Sequence, residues 1–224
     1  MTNLHVCVFF TTFAAEIDRL IASMSIDRYD REDLQAALRV LRSGGLIAYP
    51  TDTIWGIGCD ATNSAAVERL FALKQRADSK AMLMLLDSSA KLPYYIENIP
   101  EAAWMLLDSC EGEAEDQSAK PMTIVYPNAR NIAPKLIAED GSVGIRITHE
   151  LFSKALCAQL RHPLVSTSAN ISGQPSPRFF AEISQEIING VDYVCQFRRE
   201  DESEHAPSTI IKLNNDGTFK IIRP

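Results

Sequence analysis

The sequence predicts an α/β fold built as one domain, and three observations carry that expectation. Short, mainly apolar runs recur along the chain: Leu46-Ile47-Ala48-Tyr49, Ala81 to Leu86, Met122 to Tyr126 and Val143 to Ile147. Each is the length of a buried strand and too short for a helix. Stretches with apolar residues at helical spacing lie between them. Small polar residues gather where the first run ends, at Thr51-Asp52-Thr53, and Gly56 and Gly58 are expected to let the backbone turn sharply there; in open α/β sheets ligands bind beyond strand ends.

The elements follow in order. Asp30 to Leu41 reads as an amphipathic helix capped by Asp30, with Leu34, Ala37, Leu38 and Leu41 on one face. Ser43-Gly44-Gly45 ends it and feeds the first strand, which Pro50 stops because it has no N–H to give the ladder. Asn63 or Ser64 caps a second helix with Val67, Leu70 and Phe71 inward. That helix runs out at Lys74-Gln75-Arg76, and Ala81 to Leu86 returns as a strand. A helix around Trp104, Leu106 and Leu107 comes next, then the strands at 122–126 and 143–147 with irregular chain between them. His149 to Leu160 predicts a helix. Pro163 to Val165 predicts a short strand running into Ser166-Thr167-Ser168-Ala169-Asn170. A helix is expected over about 179–188, and Ser208 to Leu213 with Lys220 to Ile222 predicts a terminal hairpin.

No linker is rich enough in Gly, Ser or Pro to divide residues 29–224, which form one domain; residues 1–28 are an N-terminal extension to which the sequence assigns no role. Its apolar residues 4–15 lack the basic residues that precede the core of a signal sequence. No apolar stretch reaches the ~20 residues that span a bilayer, so no membrane partner is expected. With 22 basic and 29 acidic side chains the net charge is -7, which disfavours a protein that blankets nucleic-acid phosphates and allows at most a weak nucleic-acid contact. Five scattered cysteines without a CxxC pair, and four scattered histidines, give neither a disulfide framework nor a metal site held by the protein. They suit a reducing, cytoplasmic setting.

Three groups could share one site. Lys74, Arg76 and Lys80 form a cationic loop whose arginine fork suits phosphate oxygens, although such a cluster is often only a solvated face. Ser166 to Asn170 offers hydroxyls and an amide after a strand, where turn formation is the commoner use. Arg146 sits in an otherwise apolar strand and must find a carboxylate, either the protein's or a ligand's. No Walker A, GxGxxG or Cys/His metal spacing is present.

These blocks, in order, resemble one family. Gly44-Gly-Leu-Ile-Ala-Tyr-Pro-Thr-Asp-Thr-Ile-Trp-Gly56, Lys74-x-Arg76, Gly144-Ile-Arg146, Ser166-Thr-Ser-Ala-Asn170-x-Ser-Gly173 and Pro207-Ser-Thr-Ile210 are similar to the YrdC-like threonylcarbamoyl-AMP synthases, in the short single-domain form. The resemblance implies a twisted mixed β-sheet with flanking helices and a deep, positively charged groove. It implies condensation of L-threonine, bicarbonate and ATP, the last with Mg²⁺, into threonylcarbamoyl-AMP and pyrophosphate. Partner proteins that modify tRNA would use the product. Lys74, Arg76, Lys80, Ser142, Ser168, Asn170, Ser176 and Arg223 would hold ATP, with Lys74 and Arg76 stabilising the reacting phosphates; Thr53, Arg146 and Ser166 would line the threonine pocket. Leu85 stands where members often carry a histidine. Two other readings of the same residues are a YrdC-fold protein that binds nucleotide or RNA without synthesis, and a carbamoyl-adenylate module of the hydrogenase-maturation type, which normally lies in a longer zinc-binding chain.

Overall fold

A computed structural model describes residues 29–75, 82–111, 120–203 and 206–224. The extension 1–28 and, in the cationic loop, Arg76, Lys80 and Ala81 lie outside the described residues. Helix α1 (Arg31–Arg42) starts where the sequence places it, with the Asp30 carboxylate accepting from the Glu32 N–H at 2.7 Å. Glu32 and Asp33 in its first turn and Arg39 and Arg42 in its last oppose the helix dipole favourably. Gly44, at φ +80°, turns the chain out of it.

Nine strands form one sheet among the described residues: β1 (Ile47–Tyr49), β2 (Gly56–Gly58), β3 (Leu83–Leu86), β4 (Met122–Tyr126), β5 (Val143–Ile147), β6 (Leu164–Ser168), β7 (Tyr193–Val194), β8 (Thr209–Leu213) and β9 (Phe219–Arg223). Their spatial order is β7-β1-β2-β6-β3-β5-β4-β8-β9. The sheet is mixed, with β1–β7, β3–β5 and β4–β8 parallel and the remaining pairs antiparallel. The helices are α2 (Ser64–Leu73), the single turn α3 (Leu92–Tyr95), α4 (Glu101–Glu111), α5 (Leu151–Leu160) and α6 (Gln185–Gly190). Among the described residues no helix is long and apolar enough to cross a membrane.

Strand alternation sorts the core into two layers. On one face Ala48, Ile57, Met84, Leu86, Ile145 and Val165 pack with Val67, Leu70 and Phe71 of α2 and Leu107 of α4. On the other, Ile47, Tyr49, Leu85 and Leu164 pack under Leu34, Leu38 and Leu41 of α1 and Phe152 and Leu156 of α5. Each such side chain, fully buried, contributes about 1.5–3 kcal/mol. The α1–α5 pair covers only part of that second face. Register carries the face onward through Gly56, Ser166, Ser168, Leu83, Gly144, Arg146 and Thr123, and there Leu83 and Ser168 are only half-buried. The groove implied by the resemblance would lie over this part of the face.

Some expectations are corrected. The glycines of Gly56-Ile57-Gly58 form a strand, because a Cβ at Gly58 would lie 1.9 Å from the Val165 carbonyl oxygen and no larger residue fits between β1 and β6. Ser166, Thr167 and Ser168 belong to β6 itself, pairing with Leu83, Ile57 and Gly56, so they are strand residues and not a turn after one. The helix expected over 179–188 is broken. A 3₁₀ turn at Phe180–Glu182 ends at buried Ile183, whose backbone is extended, and Ser184 starts α6 by accepting from the Ile187 N–H at 3.4 Å.

Candidate active site

Arg146, on β5, is 5% exposed and carries the densest polar network of the groove. Its Nε donates to Thr123 Oγ1 at 3.1 Å. One terminal nitrogen donates to Asp52 Oδ1 at 2.5 Å and to Thr53 Oγ1 at 3.4 Å, and the other donates to Ser208 Oγ at 3.0 Å. The buried charge has therefore found a protein carboxylate, Asp52, which follows Pro50 in the turn after β1. Thr51 shapes that turn. Its hydroxyl donates to the Ile54 carbonyl at 2.6 Å and accepts from the Thr53 N–H at 3.1 Å.

Arg223, on β9, joins the same cluster. It donates to the Ser208 carbonyl at 2.8 Å and to the Ser208 hydroxyl at 2.9 Å. Burial, and then the Arg146 guanidinium, hold its pKa below the usual arginine value. Ser208 Oγ accepts from both arginines and lies 3.2 Å from Thr123 Oγ1. Two guanidiniums and one carboxylate leave these three residues with a charge of about +1. Ser208, Thr123 and Asp52 carry this network, and none of them was assigned from the sequence. Asp52 was visible as the acid of a polar triplet and Ser208 within Pro207-Ser-Thr-Ile210, but a single sequence does not say which hydroxyl an arginine two strands away in the sheet will use.

The second cluster lies at the end of β6. Lys74, expected as an exposed loop donor, is 1% exposed. Its Nζ donates to the carbonyls of Ser168 at 2.6 Å and Asn170 at 2.7 Å, with Asn170 Oδ1 at 3.4 Å. The correction has a physical cause. β6 ends in a turn with inward-pointing carbonyls, and an ammonium with three donors satisfies them. Ser168 Oγ donates to Asn170 Oδ1 at 2.5 Å, and Asn170 Nδ2 donates to the carbonyls of Ile171 and Gln174. The Ser172 N–H returns to the Lys74 carbonyl at 2.9 Å.

Of the residues expected from the sequence, the structure brings Lys74, Ser168 and Asn170 together, and Arg146, Thr53 and Arg223 together. Ser166 lies between the two groups. A Cβ at Gly56 would stand 3.4 Å from Ser166 Oγ and 3.2 Å from Thr51 Cγ2. Ser166 is also beside the Tyr49 hydroxyl, whose burial pushes its pKa well up. Ser142 stands just before β5, four residues from Arg146, its hydroxyl donating to Asp140 at 2.6 Å. Ser176 is exposed in the loop after β6. Leu85 is fully buried under α5, in register with Arg146. Among the described residues, no group of three or more His, Cys, Asp or Glu is placed to hold a metal.

A family model covering the Sua5, YciO and YrdC proteins, described as "Telomere recombination", matches residues 39–224. A threonylcarbamoyl-AMP synthase of Stutzerimonas stutzeri is 35% identical over 191 residues, which is 85% of this chain and 96% of the relative. P. abyssi Sua5, solved in complex with L-threonine, superposes with a TM-score of 0.72 at 26% identity, covering 85% of this chain and 53% of that one. E. coli YciO shares the fold, with a TM-score of 0.70 at 22% identity over 87% of this chain and 89% of its own. The chain belongs to the Sua5/YciO/YrdC family.

Proposed function

We propose that the groove makes threonylcarbamoyl-AMP and pyrophosphate from L-threonine, bicarbonate and ATP, for threonylcarbamoyl-adenosine modification of tRNA. The observation that carries this reading is the pairing of two dissimilar clusters on one sheet face. One is the cationic cluster around Arg146, with Asp52, Thr53, Ser208 and Arg223. The other is a lysine-organised turn, Ser168 to Asn170, one strand-end away. The curated relatives named as synthases, and the threonine bound to P. abyssi Sua5, support the choice of substrate.

In this reading Arg146, Thr53 and Ser166, with Ser208 beside them, hold the amino acid, and Arg223 adds charge for an anion. Ser168 and Asn170 hold the nucleotide on a turn that Lys74 keeps in shape. Ser142 and Ser176, with Arg76 and Lys80 from the cationic loop, complete its site. Mg²⁺ enters as part of the nucleotide substrate and neutralises phosphate charge. The threonine amino group, giving up a proton, captures carbon dioxide or bicarbonate as a carbamate, the bicarbonate carbon leaving one oxygen behind as water. The carbamate oxygen then attacks the α-phosphorus, and pyrophosphate leaves. No side chain acts as nucleophile; the protein holds two reactants for in-line attack and balances the developing charge. Tight fixation of Arg146 and of the Ser168–Asn170 turn suits that task, since near-attack geometry depends on sub-ångström positioning. The product would pass to tRNA-modifying partner proteins.

Incubation with ATP, Mg²⁺ and bicarbonate should release pyrophosphate only when L-threonine is present, and mass spectrometry should find an AMP adduct containing threonine and one bicarbonate carbon. Pyrophosphate without any amino acid would point to another ATP-using reaction. ATP binding with no turnover would favour a binding protein on the same fold.

A further inference from the structure

We infer that Asp52 is a specificity residue of the groove: its second carboxylate oxygen receives the α-amino group of the amino acid whose carboxylate Arg146 and Arg223 attract. The inference rests on the reading that the groove takes an amino acid, and it names the group that tells an amino acid from other small anions.

The geometry runs outward from Arg146. Asp52 Oδ1 accepts from Arg146 at 2.5 Å, while Oδ2 takes no hydrogen bond from any described residue, and the side chain is 11% exposed. A carboxylate can accept on both oxygens, and Oδ2, on a side chain that is only partly buried, is open to a ligand donor. Asp52 balances the buried guanidinium through Oδ1 alone, which leaves Oδ2 for another donor. Thr123, Thr53 and Ser208 already satisfy Arg146 as neutral acceptors. Adding Asp52 lowers the positive charge of the cluster, which works against a ligand that is only an anion. It works in favour of a zwitterion. An α-amino acid hangs its carboxylate and its ammonium from one carbon, so the partners of both must lie within the breadth of one side chain. The Asp52–Arg146 contact meets that condition. Thr53, the next residue, is already within reach of the same guanidinium. The turn after β1 therefore presents an acceptor for nitrogen and a hydroxyl side by side.

The test compares two ligands that differ at one atom group, L-threonine and (2S,3R)-2,3-dihydroxybutanoate, in which a hydroxyl replaces the amino group. Calorimetric titration of the whole protein gives both affinities, and thermal unfolding of each variant checks the fold. The wild type should favour threonine by about tenfold or more, because a charge-assisted bond exceeds a neutral one. In Asp52→Asn that preference should collapse toward one, with threonine weakened and the hydroxy acid held or tightened. Asp52→Glu should restore part of the preference if the longer carboxylate still reaches. Equal weakening of both ligands in Asp52→Asn, at unchanged melting temperature, would reduce Asp52 to a support for Arg146 and overturn the inference. An unfolded Asp52→Asn would do the same if Asp52→Glu, folded, showed no preference. A wild type that binds both ligands equally would overturn it while leaving the amino acid reading standing. A wild type that binds neither would overturn both.

Discussion

The two clusters of the groove solve the same problem, a cation in a nearly dry place, in opposite ways. Lys74 is held by backbone carbonyls and an amide of one tight turn. Arg146 is held by side chains brought from β4, from the turn after β1 and from the segment before β8. A lysine bound to backbone fixes the path of the chain, and the ligand groups follow from it. An arginine bound to side chains fixes only itself, and each partner can be exchanged. Substitutions at Lys74 should therefore act through local order, and those around Arg146 through charge and ligand choice.

The largest expected effect comes from breaking the buried ion pair on one side. Arg146→Leu leaves Asp52 nearly buried with neither oxygen partnered, and removal of one member of such a pair costs about 3–5 kcal/mol. The double variant Arg146→Leu/Asp52→Asn should recover a good part of that in denaturant unfolding while remaining unable to use threonine. If the single variant is as stable as the wild type, the pair is not the electrostatic centre of the cluster.

Lys74→Met tests the other side. The methionine fills the same volume but leaves the carbonyls of Ser168 and Asn170 without their donor, at about 1–3 kcal/mol for each buried group orphaned. ATP binding should fall with stability, and the hydrogen-exchange protection of the turn around Asn170 and Ser172 should drop while that of β4 and β8 stays. Loss of ATP binding with full protection would make Lys74 a direct phosphate ligand and not the organiser of the turn.

The contrast also explains what could be read in the sequence. The apolar runs became β1, β3, β4 and β5, and the Asp30 and Asn63 caps began α1 and α2, because burial and capping are local in sequence. Arg146 announced itself as a charge among Val143, Ile145 and Ile147. Its partner did not, since Asp52 reaches it only after β1, β2, β6 and β3 have been laid side by side. Lys74 read as surface because lysine usually is, and nothing local shows that the chain turns its carbonyls inward 94 residues later. Strand β2 was invisible because its glycines are chosen by the neighbours β1 and β6, not by strand propensity.

A smaller effect is expected midway between the clusters. Tyr49 is fully buried, and its hydroxyl lies 3.4 Å from the Val165 carbonyl and beside Ser166. Tyr49→Phe should cost about 0.5–1.5 kcal/mol. With Ser166 freed to rotate, the threonine requirement should rise while the ATP requirement holds. A change in the ATP requirement alone would move Ser166 from the first cluster to the second.

The smallest effect lies at the far end of β5, where Ser142 was expected to reach the nucleotide. Asp140 sits there with Lys212 Nζ at 2.5 Å and the Ser142 hydroxyl at 2.6 Å, and these bonds, Lys212 first, lower its carboxyl to about 2. The folded pKa lies below the unfolded value of about 3.9. The contribution is therefore complete above about pH 4 and is lost as pH falls from there toward 2. Both partners are more than a third exposed, so screening limits the contribution to a fraction of a kcal/mol, about 0.2–1. Unfolding midpoints measured between pH 5 and pH 2 should fall slightly more steeply for the wild type than for Lys212→Met, with the two converging at the acid end. The same pair sharpens the assignment of Ser142. Its hydroxyl proton is committed to Asp140, so the nucleotide can receive it only if Asp140 lets go. Asp140→Asn weakens that hold and should leave ATP affinity at pH 7 unchanged or slightly raised. A loss of ATP affinity in Asp140→Asn would mean that the Asp140 contact holds Ser142 in the position the nucleotide needs, and that the nucleotide site extends along the whole of β5.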